Sequence, residues 1–440
     1  MFIPAVDLGN ATSDLSFPHA SAQSNCKDID NCRTLVSIIS GCVSTIVVCI
    51  WTAIHPNIPP PGEKLAHKLH RGLVTALVSL VAPELIIAWA ARQFLCSYDL
   101  SKKYADRGWT QTHGFFAIMG GFVIKSSPAT DYDPCGPYPD LTPPPLTTNT
   151  SPPYIHFPDI TDLEIKNTSK ANSFSKALAI LQTCWFLVQC IARTVRRLPL
   201  SELELATCAF AALNCVTYLL WWNKPQSVDY AFALGRGAND LVIPRDDADE
   251  EASDDPSFSW QDALQGLSQA GLAGSCCYLM NVVCYPATAL LNSMTEMILG
   301  AKLTGRCHSV PWYYSGRLSK RSQNLLVVIV MGSGAVFGLI HCMGWWLDFP
   351  SPLSRKLWRI CSVLITCIPI LEVLSLLGAV DIIDPISALL CLTESYTALA
   401  SAIVYILARV VLLVLTLTSL TSLPPGAFET VAWTSLIPHL

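Results

Sequence analysis

Long apolar runs alternate with polar gaps along the chain, and the run lengths decide the fold class. A membrane-crossing helix needs roughly 17–25 mostly apolar residues. Residues 34–54 (TLVSIISGCVSTIVVCIWTAI) meet that without a charge, and residues 72–91 meet it with Glu84 as their one acid. Residues 177–192, 205–223 and 322–347 follow, then 360–380 with Glu372 inside and 397–420 with Arg409 inside. Between Asp262 and Glu296 no charge occurs, which suits one long or broken helix with Pro286 within it. These runs predict about eight spans. Backbone polar groups in lipid must be satisfied internally, so spans of this length are helices. The stretch GWTQTHGFFAIMGGF, residues 108–122, is too apolar for an ordinary loop and too short to cross. The expected fold is therefore all-α: a polytopic transmembrane helical bundle of about 8 spans, plus one short non-spanning or re-entrant segment.

The gaps divide the chain further. Residues 1–33 form an N-terminal tail, and 34–125 a first membrane half containing the HGFF segment. Residues 126–175 are a Pro/Thr-rich linker, extended by composition. Residues 176–228 hold a central helix pair, 229–261 an acidic loop with DDADEEASDDP, and 262–440 a C-terminal membrane bundle. The first residues lack a cationic stretch before an apolar core, so no cleavable signal peptide is expected. Cytoplasmic loops are enriched in Lys and Arg. Lys64, Lys68 and Arg71, then Arg193, Arg196 and Arg197, then Lys302, Arg306, Arg317, Lys320 and Arg321 all become cytoplasmic if the tail is outside and 108–122 does not cross. Lys102, Lys103 and Arg107 fall on the wrong side in that scheme. It exposes three glycosylation acceptors, Asn10, Asn149 and Asn167, outside the cell or in a lumen.

Composition agrees with a membrane protein: of 440 residues 51% are hydrophobic and only 14% charged, where soluble domains run near a quarter charged. The net charge of −5 and the lack of basic clusters interleaved with aromatics exclude nucleic acid as the expected partner. Membrane lipid is the expected partner, in an endomembrane or the plasma membrane, and the sequence names no protein partner. Most of the 18 cysteines lie in apolar runs, where cysteine packs as a small hydrophobe. Cys26, Cys32 and Cys135, in polar segments, are the candidates for oxidised thiols. No Cys/His set has metal-ligand spacing, so neither a metal nor a cofactor is expected.

Charges inside spans are expensive and need a partner or a purpose. Glu84 follows Pro83, which leaves a carbonyl one turn earlier without its donor. Glu372 also lies near a proline, and Arg409 interrupts YILARVVLL, so a Glu372–Arg409 pair would cost less than two separate charges. Asp381 and Asp384 are three apart on one helical face, where the pair can hold a cation or simply end a helix. His55 ends the first span near Trp51, and His341 lies in GLIHCMGWW. Glu84, His113, Glu372 and Asp381 are the candidate acid/base groups, and Trp109, Phe115, Phe116, His341 and Arg409 the candidate ligand contacts. His113 opposite Glu84 would make 108–122 a wall of a ligand site. No GxSxG, HExxH, Walker or Rossmann pattern is present.

Taken together, WTAIHPNIPPP (51–61), APELIIAWAARQ (82–93), GWTQTHGFFAIMGGF (108–122), SKALAILQTCWFLVQCIAR (175–193), the long run ending in WWNKPQSV (198–228), HCMGWWLDFPS (341–351), YILARVVLL (405–413) and WTSLIPHL (433–440) resemble a fungal family of multi-pass membrane proteins without a firmly assigned activity. Leu415 and Thr421 depart from that family's pattern, which tends to carry a Glu and an Arg there. The resemblance implies a polytopic helical membrane protein and supplies no reaction. The leading expectation is a bundle that binds a lipid-like or small hydrophobic ligand in a polar interior. An intramembrane enzyme on an isoprenoid or lipid is the first alternative, a small-molecule transporter the second, and a sensor or scaffold the last.

Overall fold

The computed structural model describes residues 32–60, 62–124, 160–169, 173–228, 231–234, 290–301, 310–376 and 393–431. Its helices are α1 (Leu35–Ala53), α2 (Leu65–Val81), α3 (Pro83–Lys103), α4 (Gln111–Ile118), α5 (Asp162–Asn167), α6 (Ser173–Val195) and α7 (Glu202–Leu220). A helical stretch at 290–299, α8, precedes α9 (Lys320–Cys342), α10 (Pro352–Leu376) and α11 (Thr393–Ser419). The class is all-α, with one minor addition: β1 (Phe122–Ile124) and β2 (Phe232–Leu234) pair in parallel, Phe122 opposite Phe232.

Among the described residues six helices are long and apolar enough to cross a membrane: Leu35–Ala53, Ala177–Val195, Glu202–Leu220, Lys320–Trp346, Pro352–Ser375 and Ala400–Ser422. Their outer faces are exposed leucine, isoleucine and valine, such as Leu181 and Ile191 on α6 and Leu407 and Val414 on α11. Uncovered apolar surface of that extent belongs in lipid. Inside, Ile87, Phe210, Leu213, Phe337, Trp358, Ile365 and Leu412 form a core shared by α3, α7, α9, α10 and α11.

Hydrogen bonds identify the two ends of the bundle. At one end Arg33 donates to the Ala427 carbonyl and to Glu204, while Arg193 donates to the carbonyls of Pro199, Gly426, Ala427 and Glu429. The start of α1, the end of α6, the start of α7 and the end of α11 therefore meet there. At the other end Lys224 donates to the His55 carbonyl, and Asn57 to those of Pro311 and Tyr314. The ends of α1 and α7 and the approach to α9 meet there.

The expected second span, 72–91, is not one helix. α2 and α3 meet at Ala82 with a bend of 113°. Proline opens α3 at its first position, where the missing N–H costs least, so the chain turns rather than continuing. Arg71 stacks on Trp312, and Gln93 donates to the Tyr314 carbonyl, so α2 enters and α3 leaves at the Lys224 end. Between them Glu84 reaches Arg409, in the interior of α11. The pair is a re-entrant hairpin. The run expected at 262–296 lies outside the described residues except for α8.

This hairpin corrects the charge scheme, which took 72–91 to cross. Lys102, Lys103 and Arg107 return to the end that holds Lys64, Lys68 and Arg71, whereas Arg193, Arg196 and Arg197 lie at the opposite one. Residues 108–122 do not cross, as expected. They fold into the short α4, which lies against α3 so closely that a Cβ on Gly114 would stand 2.9 Å from the Ser97 Cα.

Candidate functional site

Three polar nodes lie in this frame. The first is at the tip of the hairpin. Tyr405 Oη donates to Glu84 Oε1 at 2.7 Å, and Arg409 Nη1 donates to that same oxygen. The guanidinium lies 4.0 Å from the centre of the Phe337 ring. Glu84 Oε2 is buried and has no hydrogen-bond partner among the described residues. Glu84 stands in the first turn of α3, where the helix dipole favours an anion. The carboxylate and the guanidinium thus neutralise each other within the bundle, and the phenol adds a second donor.

Arg409 does not pair with Glu372, as the sequence suggested. Glu372 accepts from Ser401 at 2.8 Å, two turns before Arg409 on α11, and that spacing is about 12 Å along a helix. His341 is close by but separately engaged. Its Nδ1 bonds to the Phe337 carbonyl at 2.9 Å, and its ring lies between Phe337 and Trp358.

His113 belongs elsewhere. Its Nδ1 accepts from the Thr110 backbone N–H at 3.1 Å, and its Nε2 bonds to the Ile160 carbonyl at 2.8 Å, which caps α4 and ties it to the approach of α5. α4 packs at Ser97, thirteen residues beyond Glu84, or about 20 Å along α3. His113 and Glu84 therefore do not face each other. Trp109 and Phe116 pack with Ile58, Met119 and Val228, while Phe115 packs with Trp89 and Trp221. All three aromatic side chains are core. Asp381 and Asp384, like Asn10 and Asn149, lie outside the described residues, and Asn167 is exposed at the end of α5.

The second node escaped the sequence reading. Lys224, in WWNKPQ, is 3% exposed and has three neutral acceptors: the His55 carbonyl, Gln93 Oε1 at 2.7 Å and Asn57 Oδ1 at 3.4 Å. The faces of Trp89 and Trp221 flank its ammonium, with ring centres 5.3 and 5.0 Å away. Trp221 Nε1 donates to Gln93, and Gln93 donates to Asn57 and to the Tyr314 carbonyl. Burial pulls the Lys224 pKa well below the usual lysine value. The carbonyl oxygens and indole faces oppose that pull by stabilising the cation. His55 lies against Trp221 at 5.4 Å, not against Trp51, which points outward. The residues of this node come from four chain segments distant in sequence, and only their presence in or beside quoted motifs hinted at a meeting point.

The third node is a narrow crevice between α1, α7 and the hairpin, lined by Cys49, Ser79, Pro83, Phe210, Asn214 and Thr217 among others. It lies on the opposite side of α3 from Glu84, which faces α9 and α11. Ser79 is 7% exposed. Asn214 interacts with the Cys49 thiol. No group of three or more His, Cys, Asp or Glu side chains among the described residues is arranged to hold a metal ion.

The sequence profile of a family of unknown function (DUF8562) matches residues 14–244, more than half of the chain. That stretch contains every residue of the crevice lining. No curated protein and no solved structure matches.

Proposed function

The chain belongs to the DUF8562 family of unknown function, and we propose that within it this integral membrane protein holds a small hydrophobic ligand in the crevice beside the hairpin tip. The observation that carries this reading is a crevice whose wall is mostly apolar and carries a few polar side chains, Ser79, Asn214 and Thr217. A few convergent polar groups in an apolar concavity are the usual make-up of a small-molecule site. The test is photolabelling in nanodiscs with a long-chain alkyl diazirine. Label concentrated on α1, α7 and the hairpin, and lost when Ala53→Trp fills the crevice, is the expected result. Label spread evenly over the lipid faces of α6 and α11 would sink the reading.

A transporter is the second reading, and the re-entrant hairpin favours it. Helices that end at mid-depth bring polar backbone groups into the bundle interior, as solute carriers do. Enzymatic acid/base chemistry is the weakest of the three. Its candidates are scattered: Glu84 is engaged by Arg409, Glu372 by Ser401 and His113 by Thr110.

A further inference from the structure

The outer face of α2 divides sharply along its length. This helix of 17 residues enters the membrane as one arm of the hairpin. Leu65, Leu69, Leu73 and Leu77 recur every fourth residue and are 70%, 50%, 57% and 47% exposed. That spacing sets them along one flank of the helix. In a bilayer such an uncovered apolar flank lies against acyl chains. The basic residues of α2 are gathered instead at its start. Lys64, His67, Lys68, His70 and Arg71 all fall within residues 64–71, and no acid lies in the first turn. Glu63, just before them, is held by Arg71, which also stacks on Trp312. Lys64, His67 and His70 are exposed, and Lys68 is partly so. The entry of α2 is therefore positive, and it stands at the Lys224 end of the bundle, where the helix leaves the hydrocarbon.

We propose that the entry of α2 binds the headgroup of an anionic phospholipid, whose acyl chains lie along the leucine flank. Clusters of basic residues at the end of a membrane-embedded helix attract lipids of net negative charge. Lys64 and Lys68 supply the charge, and the exposed imidazoles of His67 and His70 supply further hydrogen-bonding groups for phosphate oxygens. A lysine stem lies along apolar surface while its ammonium reaches the headgroup layer, so the leucines and the cations serve one molecule. A zwitterionic lipid offers the same phosphate but brings its own cation, and it gains less from the site. Free phosphate would meet the cations and leave the leucines unused. The flank commits the site to a lipid. A lipid held there steadies the arm of the hairpin that leads to Glu84.

The test uses the full-length protein in phosphatidylcholine nanodiscs containing a trace of phosphatidylserine with a diazirine on its acyl chain. Cross-linked residues are mapped by mass spectrometry. Label on residues 65–77 should exceed that from the matching phosphatidylcholine probe about tenfold. Lys64→Gln and Lys68→Gln should each lower it about fivefold, the worth of one lysine at a charged membrane surface. An unchanged thermal midpoint shows that a variant is folded, and either variant suffices if the other is not. Unlabelled phosphatidylserine in the disc should displace the label, whereas inorganic phosphate in the buffer should not. Equal labelling by the two probes, or label indifferent to both substitutions, overturns the proposal. Displacement by inorganic phosphate overturns it as well, because the cations would then form an anion site without a lipid.

Discussion

Glu84 with Arg409, and Lys224, are charges taken out of water in the same bundle, yet they are housed by different means. At the hairpin tip the carboxylate has a guanidinium and a phenol on one oxygen, with an aromatic face beneath the cation. At the end of the bundle the ammonium has no carboxylate partner among the described residues and relies on carbonyl oxygens and two indole faces. The contrast follows from what each location supplies. Deep among paired helices the backbone carbonyls are consumed by i→i−4 bonds, so only another side chain can neutralise a charge. Where helices end, unused carbonyls and amide side chains are plentiful, and a cation can be held without a counter-ion. The first arrangement joins α3 to residues of α9 and α11 far away in sequence, and the second joins four chain segments.

Breaking the pair should have the largest effect. Arg409→Met leaves the Glu84 carboxylate buried and unpaired, which costs about 3–5 kcal/mol. The thermal midpoint in nanodiscs should fall steeply, or folded protein should be lost. Glu84→Leu combined with Arg409→Leu should regain most of the loss, because the pair is then replaced by packing. A double variant as unstable as the single one would show that these residues do more than cancel each other.

Emptying the cage comes next. Lys224→Met removes the donor from three acceptors, an expected cost of roughly 2–4 kcal/mol. The pH dependence adds a sign. Burial lowers the folded-state pKa below the ordinary 10.5, so between the two values the unfolded chain binds more protons than the folded one. Stability should therefore rise with pH across that window, as the folded state sheds its proton first. The rise should vanish in Lys224→Met. A wild-type profile identical to the variant's would mean that the indoles and carbonyls fully offset the burial.

Each region also rests on a close backbone approach. A Cβ at Gly338 would stand 2.7 Å from the Thr366 Cα, and one at Gly114 would stand 2.9 Å from the Ser97 Cα. Both helices would have to separate, so Gly338→Ala and Gly114→Ala should each cost about 1–3 kcal/mol in thermal or denaturant stability. Gly338→Ala should weaken the Glu84 side of the bundle, and Gly114→Ala the packing of α4 near Lys224. Near-silent substitutions would mean that the contacts relax more readily than close-packed helices do.

Much of this was legible because charge in an apolar run stands out. Glu84 and Arg409 were conspicuous for that reason, and residues 108–122 were recognisably too short to cross. The partner of Arg409 was misjudged because sequence distance from a helix end does not give depth once a hairpin intervenes. Pro83 was seen to remove a donor, but whether a proline kinks a span or reverses it depends on what surrounds the bend. Here Tyr405 and Arg409 hold the tip of the hairpin. Lys224 was missed because a lone cation in a short polar gap looks solvated. Its burial depends on His55, Asn57 and Gln93, more than a hundred residues earlier in the chain.

The smallest expected effect concerns which end of the bundle each charge faces. Cys32 is disulfide-bonded, and the other described cysteines are free thiols. Such bonds persist on the oxidising side of a membrane. Cys32 pairs with Glu429 at the Arg33 end, so that end should face the lumen or exterior, and the Lys224 cage the cytoplasm. Asn167 ends α5, which is tied to α4 on the Lys224 side through Thr110 and Asp162, and should escape glycosylation although it is exposed. Asn149 lies in the stretch between β1 and α5, both of whose flanks are at that same end, and should escape with it. The tail carrying Asn10 joins α1 at the opposite end. A glycosidase-sensitive mobility shift should therefore disappear with Asn10→Gln and persist in Asn149→Gln/Asn167→Gln. The reverse pattern would turn the protein over in its membrane and put the caged lysine on the outside. The paired and the caged charge would keep their geometry in either orientation, because neither depends on a group beyond the bundle.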